Sequence, residues 1–242
     1  MRKQILYYAW KYHGEWKAIA KAIAKEEEWF EIQYDGDFVT VVDTEYPEQL
    51  HTLEFPPWIL FYEGDLSLLD KKAVGVVGSR EASSYGIRAC KHIVSLLKER
   101  YVIVSGVAKG IDCFAHREAF SNHTIGVIGC GLDVIYPREN KDIYDQLKER
   151  HLMISEYPKG VKPFAHHFPW RNRLIAALSS SIIVVEANIK SGTMLTVNEA
   201  LILNKPIYCV PHTYFDIQGK GCNLLISQGA YLLVDDDDIK NI

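Results

Sequence analysis

From Lys71 to Val234 the chain alternates short, wholly apolar runs with longer stretches of helical periodicity. Val74-Gly75-Val76-Val77 ends in Gly78-Ser79-Arg80, and Tyr101-Val102-Ile103-Val104-Ser105-Gly106 opens into Val107-Ala108-Lys109-Gly110. Ser181-Ile182-Ile183-Val184-Val185-Glu186 likewise opens into Lys190-Ser191-Gly192-Thr193. Apolar runs that close in Gly or Ser before a helical pattern are how strands buried on both faces feed loops at one edge of a parallel sheet. The pattern predicts strands at 73–77, 101–105, 124–128, 152–155, 181–186, 206–210 and 231–234. Helices are predicted between them, over about 85–99, 111–121, 140–150, 171–178, 193–203 and 222–228. Such alternation implies an α/β fold, an extended Rossmann-like, doubly wound and mostly parallel sheet.

The start of the chain follows another rhythm. Ile5, Leu6, Ala9 and Trp10 make one helical stripe, Gly14 interrupts it, and Trp16, Ile19, Ala20 and Ile23 resume it. Residues 1–36 therefore read as a small helical hairpin, which must dock to be stable, and 37–242 as the Rossmann-like domain. Its aromatic residues sit at helical spacing, which favours core packing over base stacking. Between Phe38 and Leu69, Val39-Thr40-Val41-Val42 and Trp58-Ile59-Leu60-Phe61-Tyr62 suggest a connecting layer with an added strand. The acidic run Asp235-Asp236-Asp237-Asp238 reads as a solvated end.

Composition narrows the classes. A chain of 242 residues with 48% hydrophobic content can bury a substantial core. A net charge of −4 gives no global nucleic-acid signature, so any such affinity must come from a local patch. Cys90, Cys113, Cys130, Cys209 and Cys222 are isolated, with no zinc spacing, and read as reduced thiols of a cytoplasmic protein. No signal peptide or run of membrane-spanning length is present, so no membrane insertion is expected. Gly126-Val127-Ile128-Gly129-Cys130-Gly131 has the wrong spacing for a dinucleotide fingerprint, and no Walker A motif occurs. Neither a cofactor nor a metal is expected.

Local charge tells more. Residues 71–120 carry nine Lys/Arg against four acids, and 159–173 holds Lys159, Lys162, Arg171, Arg173, His166 and His167 with no acid. Phe164, Phe168 and Trp170 are interleaved with those cations. Loops at a doubly wound sheet edge favour anions. Cations among rings suit an extended single strand, with charge for phosphates and faces for bases. The plainer alternative is a solvated basic face whose aromatics anchor a long loop.

These stretches resemble the DNA-processing protein A (DprA/Smf) family. The resemblance is carried by Gly78-Ser79-Arg80 with Tyr85-Gly86, Ser105-Gly106-Val107-Ala108-Lys109-Gly110-Ile111-Asp112 and Gly129-Cys130-Gly131-Leu132-Asp133 with Tyr136-Pro137. It continues through Ser155-Glu156-Tyr157-Pro158, His167-Phe168-Pro169-Trp170-Arg171-Asn172-Arg173-Leu174-Ile175-Ala176 and Gly221-Cys222-Asn223-Leu224-Leu225-Ile226. The resemblance implies a non-catalytic single-stranded-DNA-binding protein of natural transformation that protects incoming strands and helps load the RecA recombinase. It also implies a homodimer paired through the terminal region, here Leu224, Leu225, Ile226 and Leu232. Many members have a larger N-terminal helical domain and a C-terminal winged helix, and neither is expected here. Lys109 stands where the family usually has Arg, which keeps charge and loses bidentate geometry.

The candidate phosphate and single-strand contacts are Gly78, Ser79, Arg80, Ser105, Gly106, Lys109, Gly110, Lys159, Lys162, Phe168, Arg171, Asn172, Ser191, Gly192 and Thr193. Glu186 is expected to orient neighbouring loop amides, and Arg173 to brace the structure. Asp112 and His116, four apart on a helix, could pose as a catalytic pair, although an acid at its own helix N-terminus is the simpler reading. The competing function is a Rossmann-like nucleotide phosphoribohydrolase of the lysine-decarboxylase-like type. In those enzymes a Gly-Thr turn runs almost directly into a catalytic Glu; here the Glu after Ser191-Gly192-Thr193 is Glu199, nearly two turns on.

Overall fold

Helices α1 (Arg2–Lys11) and α2 (Trp16–Ala24) open the chain in the computed structural model, which describes residues 1–242. Two strands follow, β1 (Asp37–Thr40) and β2 (Ile59–Gly64), paired antiparallel. Regular alternation then begins: β3 (Ala73–Val77), α3 (Ser84–Leu97), β4 (Val102–Gly106), α4 (Ile111–Ala119) and β5 (Thr124–Ile128). It continues with α5 (Lys141–Arg150), β6 (Leu152–Ser155), α6 (His167–Leu178), β7 (Ile182–Val184) and α7 (Thr193–Ile202). The chain closes with β8 (Ile207–Cys209), α8 (Lys220–Ser227), β9 (Tyr231–Leu232) and α9 (Asp236–Lys240).

All nine strands form one sheet in the order β1-β2-β6-β5-β4-β3-β7-β8-β9. Only the β1–β2 and β2–β6 pairs are antiparallel; the others are parallel. Strand side chains point alternately to the two faces, so Val102 and Val104 of β4 pack with α6 while Ile103 packs with α3 and α4. Helices α6, α7 and α8 cover one face and α3, α4 and α9 the other. A third cluster joins Ile5, Tyr8 and Ile19 of the first two helices to Phe61 of β2 and to Tyr144 and Leu147 of α5. The N-terminal helices thus share a core with the sheet. No helix is long and apolar enough to cross a membrane.

Several elements depart from the pattern. The layer between Phe38 and Leu69 supplies two strands rather than one. Helix α6 begins four residues before the expected 171; Pro169 falls in its first turn, where a missing N–H leaves no bond unmade. The acidic run is not simply solvated. Asp235 caps α9 through a reciprocal capping box with Asp238, Ile239 enters the core, and Arg100 donates to the Lys240 carbonyl over 2.7 Å.

The topology locates a binding edge. From β3 the chain winds outward through β4, β5 and β6, then returns to lay β7 on the other side of β3. Loops leaving β3 and β7 diverge there, and a crevice opens at the carboxyl ends of the strands.

Candidate nucleic-acid interface

A cleft of about 520 Å³ lies at this switch point, lined among others by Gly78, Arg80, Ala108, Phe168, Asn172 and Thr193. A smaller one of about 270 Å³ adjoins it and shares Arg80, Ala108, Phe168 and Arg171 while adding Lys109.

The turn after β3 is held from both sides. Ser79 N–H donates to the Glu186 carbonyl over 2.7 Å, and Ser79 Oγ accepts from Glu81 N–H over 3.1 Å. The Glu186 carboxylate accepts from Ser83 N–H over 2.9 Å and from the Ser83 hydroxyl, fixing the loop that leads into α3. Thr193 Oγ1 donates to the Gly78 carbonyl over 3.0 Å, tying the turn after β7 to the turn after β3. Gly110 sits at φ +74° against the Ser79 and Arg80 backbone, a conformation and an approach that a Cβ would obstruct. With its N–H already spent on Glu186, Ser79 contributes shape more than donors, and the cleft's charge comes from side chains.

Arg80 is exposed, forms no salt bridge, and lies with its guanidinium carbon 5.6 Å from the centre of the Phe168 ring. Tyr136 packs on the same ring at 5.4 Å. Lys109 is exposed and pairs with Glu139 at 2.5 Å, a contact that raises the lysine pKa. Ser191 lines the cleft, while its Oγ is buried and has no hydrogen-bond partner. Asn172 Nδ2 lies 3.5 Å from the Gly192 carbonyl.

Other candidates lie beneath the cleft or away from it. Ser105 is fully buried and its hydroxyl donates to the Val76 carbonyl over 2.6 Å, so it belongs to the sheet beneath the cleft. Gly106 leaves room for two buried side chains: a Cβ there would collide with the Arg171 guanidinium and the Asp112 carboxylate. Arg171 is only 4% exposed and donates through Nη1 to the Val127 carbonyl, while its Nε has no partner. Burial lowers its pKa, and burial raises that of Asp112. Arg171 thus forms floor rather than rim. Lys159 points away, to the Asp35 carbonyl and carboxylate, and Lys162 is exposed outside both clefts.

Arg173 is also buried, bound through two 2.6 Å hydrogen bonds to Glu156 and lying 4.1 Å from the Trp170 ring centre. Asp112 and His116 form no catalytic pair. His116 is fully buried; its Nε2 meets the Gly106 carbonyl and its Nδ1 meets Thr124 Oγ1, each at 2.8 Å. At the chain's end Leu225 packs into the core at 5% exposure, which corrects its assignment to an interface; the i, i+3, i+4 spacing with Gly221 and Cys222 turns it toward the sheet. Leu232 on the terminal edge strand is 40% exposed, and Leu224 and Ile226 are half-buried. Pattern reading missed Tyr136, which packs beside Phe168, and the pairing of Lys109 by Glu139.

Comparison with known proteins identifies the chain's relatives. The profile of the DNA recombination-mediator protein A family matches residues 37–242. DNA processing protein DprA of Streptococcus pneumoniae is 41% identical over 202 residues, 83% of this chain and 72% of that protein. Its Bacillus subtilis counterpart is 38% identical over 205 residues, covering 83% and 69%. The solved structure of the Streptococcus pneumoniae protein superposes with a TM-score of 0.84 at 33% identity, over 100% of this chain and 93% of that one. The Helicobacter pylori DNA processing protein A, solved to explain its single-stranded DNA binding mode, gives a TM-score of 0.78 at 30% identity over 87% and 97%. The chain belongs to the DNA recombination-mediator protein A family, known as DprA or Smf.

Proposed function

We propose that this protein binds single-stranded DNA through the switch-point cleft, protects it, and helps load the RecA recombinase during natural transformation. The observation that carries the reading is Arg80: an exposed guanidinium with no carboxylate partner, set over the Phe168 ring inside a cleft at a parallel-sheet edge. A phosphate takes the cation and a base stacks beside the ring. Lys109, Ser191 and Asn172 extend the same path, while Ser105 and Arg171 hold its floor. Residues 37–242 serve as the DNA-binding unit, with 1–36 a docked appendage, and the protein works in the cytoplasm as a homodimer.

Binding without turnover fits the site better than glycosidic cleavage. Glu199 lies along α7 and does not line the cleft. Incubation with nucleoside monophosphates, run beside an oligonucleotide titration, tests the point. Oligonucleotide binding with no released base supports the proposal; released base, lost on Glu199→Gln, contradicts it.

A further inference from the structure

Glu15, His166 and His167 converge although the first two are 151 positions apart in sequence. Glu15 Oε1 lies 3.3 Å from His166 Nε2 and 3.5 Å from His167 Nε2. Glu15 precedes α2 without capping it, so its carboxylate is committed to nothing else. His167 is 1% exposed and stacks on Tyr157 at 3.8 Å, and its Nδ1 lies 3.0 Å from the Gly129 carbonyl. A carbonyl only accepts, so Nδ1 carries the proton there, and Nε2 of the neutral ring presents a lone pair to the carboxylate.

Two acceptors facing each other at 3.5 Å need a positive charge between them. A metal ion supplies it and takes both lone pairs as ligands. Zn–N bonds of about 2.0–2.1 Å and Zn–O bonds of about 2.0–2.2 Å at tetrahedral angles separate neighbouring ligand atoms by about 3.3–3.5 Å. The two measured separations match that edge. An Nδ1–H bonded to a backbone carbonyl is also the usual support behind a metal-bound imidazole.

We infer that Glu15, His166 and His167 form a binding site for a divalent transition metal of the zinc class, which fastens the N-terminal helices to the start of α6. Imidazole nitrogens with one carboxylate oxygen suit zinc over magnesium or calcium, which take oxygen ligands. His166 and Glu15 are 67% and 53% exposed, so the fourth position opens to water. The site borders the DNA cleft, whose lining includes Ala165 and Phe168 on either side of the two histidines. The other group with ligand spacing, Glu186, His212 and Asp216, is already consumed. Ser83 occupies the Glu186 carboxylate, and the Val185 carbonyl and Asp216 take both nitrogens of His212.

The test uses the tag-free chain, stripped with EDTA, freed of chelator and titrated with zinc chloride by calorimetry, with melting followed in parallel. One saturable site per chain and a melting temperature that rises with zinc are expected. Glu15→Gln and His166→Ala alter exposed side chains, and both variants should fold. Each should weaken zinc binding by about tenfold or more and remove the rise in melting temperature. No saturable binding by the wild-type chain into the millimolar range overturns the inference. So does an affinity that both variants leave unchanged.

Discussion

The Arg173 guanidinium holds the Glu156 carboxylate through two 2.6 Å hydrogen bonds, with both residues 4% exposed. This bidentate pair joins α6 to the segment just after β6 and thereby places the helix that carries Phe168 at the cleft. Removing one partner leaves an uncompensated buried charge. Glu156→Ala is expected to cost about 3–5 kcal/mol, read as a shift of the urea midpoint at constant slope. A loss below about 1 kcal/mol would mean that water reaches the guanidinium and the pair is not structurally important.

Acid should weaken the fold before it titrates ordinary carboxylates. Burial pushes the His116 pKa down to about 4, below the unfolded value of about 6.5. Between those values the unfolded chain binds a proton that the folded chain refuses. The stabilisation is therefore complete above about pH 6.5 and is lost as pH falls toward 4. From pH 7 to pH 5 the loss from His116 alone is about 2 kcal/mol, and burial moves His151 and His167 the same way. Asp112, raised by burial, acts with the opposite sign and offsets part of it. Urea unfolding at pH 7, 6 and 5 measures the slope; constant stability over that range would contradict a neutral buried His116.

Charge on the cleft rim should control affinity without touching the fold. Arg80→Ala and Lys109→Ala are each expected to weaken single-strand binding by about 1–3 kcal/mol with unchanged melting. Glu139 competes with DNA for Lys109, so Glu139→Gln should tighten binding by up to about 1 kcal/mol. Anisotropy titrations of the three variants decide it. Normal affinity in Arg80→Ala would remove Arg80 from the path.

Much of this fold could be read from the chain because parallel strands buried on both faces are unbroken apolar runs. The loops after β3, β4 and β7 followed from where those runs end. The two arginines of α6 could not be sorted in that way. Arg171 and Arg173 are both buried in a helix whose residues 173–178 are all buried, so no exposed face marks which cation meets solvent. Arg171 was expected on the DNA and lies in the floor. The four aspartates read as charge, although an Asp four positions ahead of a buried Ile is also a capping signal. Contacts such as Lys109 with Glu139 rest on folding alone.

At the terminal edge buried and exposed apolar residues alternate. β9 has a neighbour on one side only, and its Tyr231 and Leu232 are exposed. Apolar edge strands call for cover, and in the proposed homodimer a second copy would supply it. Leu232→Glu and Ile226→Glu are expected to give folded monomers with weakened binding to long strands and near-normal binding to short ones. Leu225→Glu, in the core, should unfold the protein. Sedimentation of the first two checks the assignment, and an unchanged dimer in both would exclude this edge.

On the proposed reading, the switch-point cleft holds a single DNA strand by its phosphates and exposed bases. The most direct measurement is anisotropy titration with single- and double-stranded oligonucleotides of matched length over a salt series. The site has cations and rings but no helix shaped to enter a groove, so the single strand should bind more tightly whatever its sequence. Its affinity should fall linearly on logarithmic axes as salt rises, through counterion release. Duplex binding equal to or tighter than single-strand binding, or affinity indifferent to salt, would contradict the account.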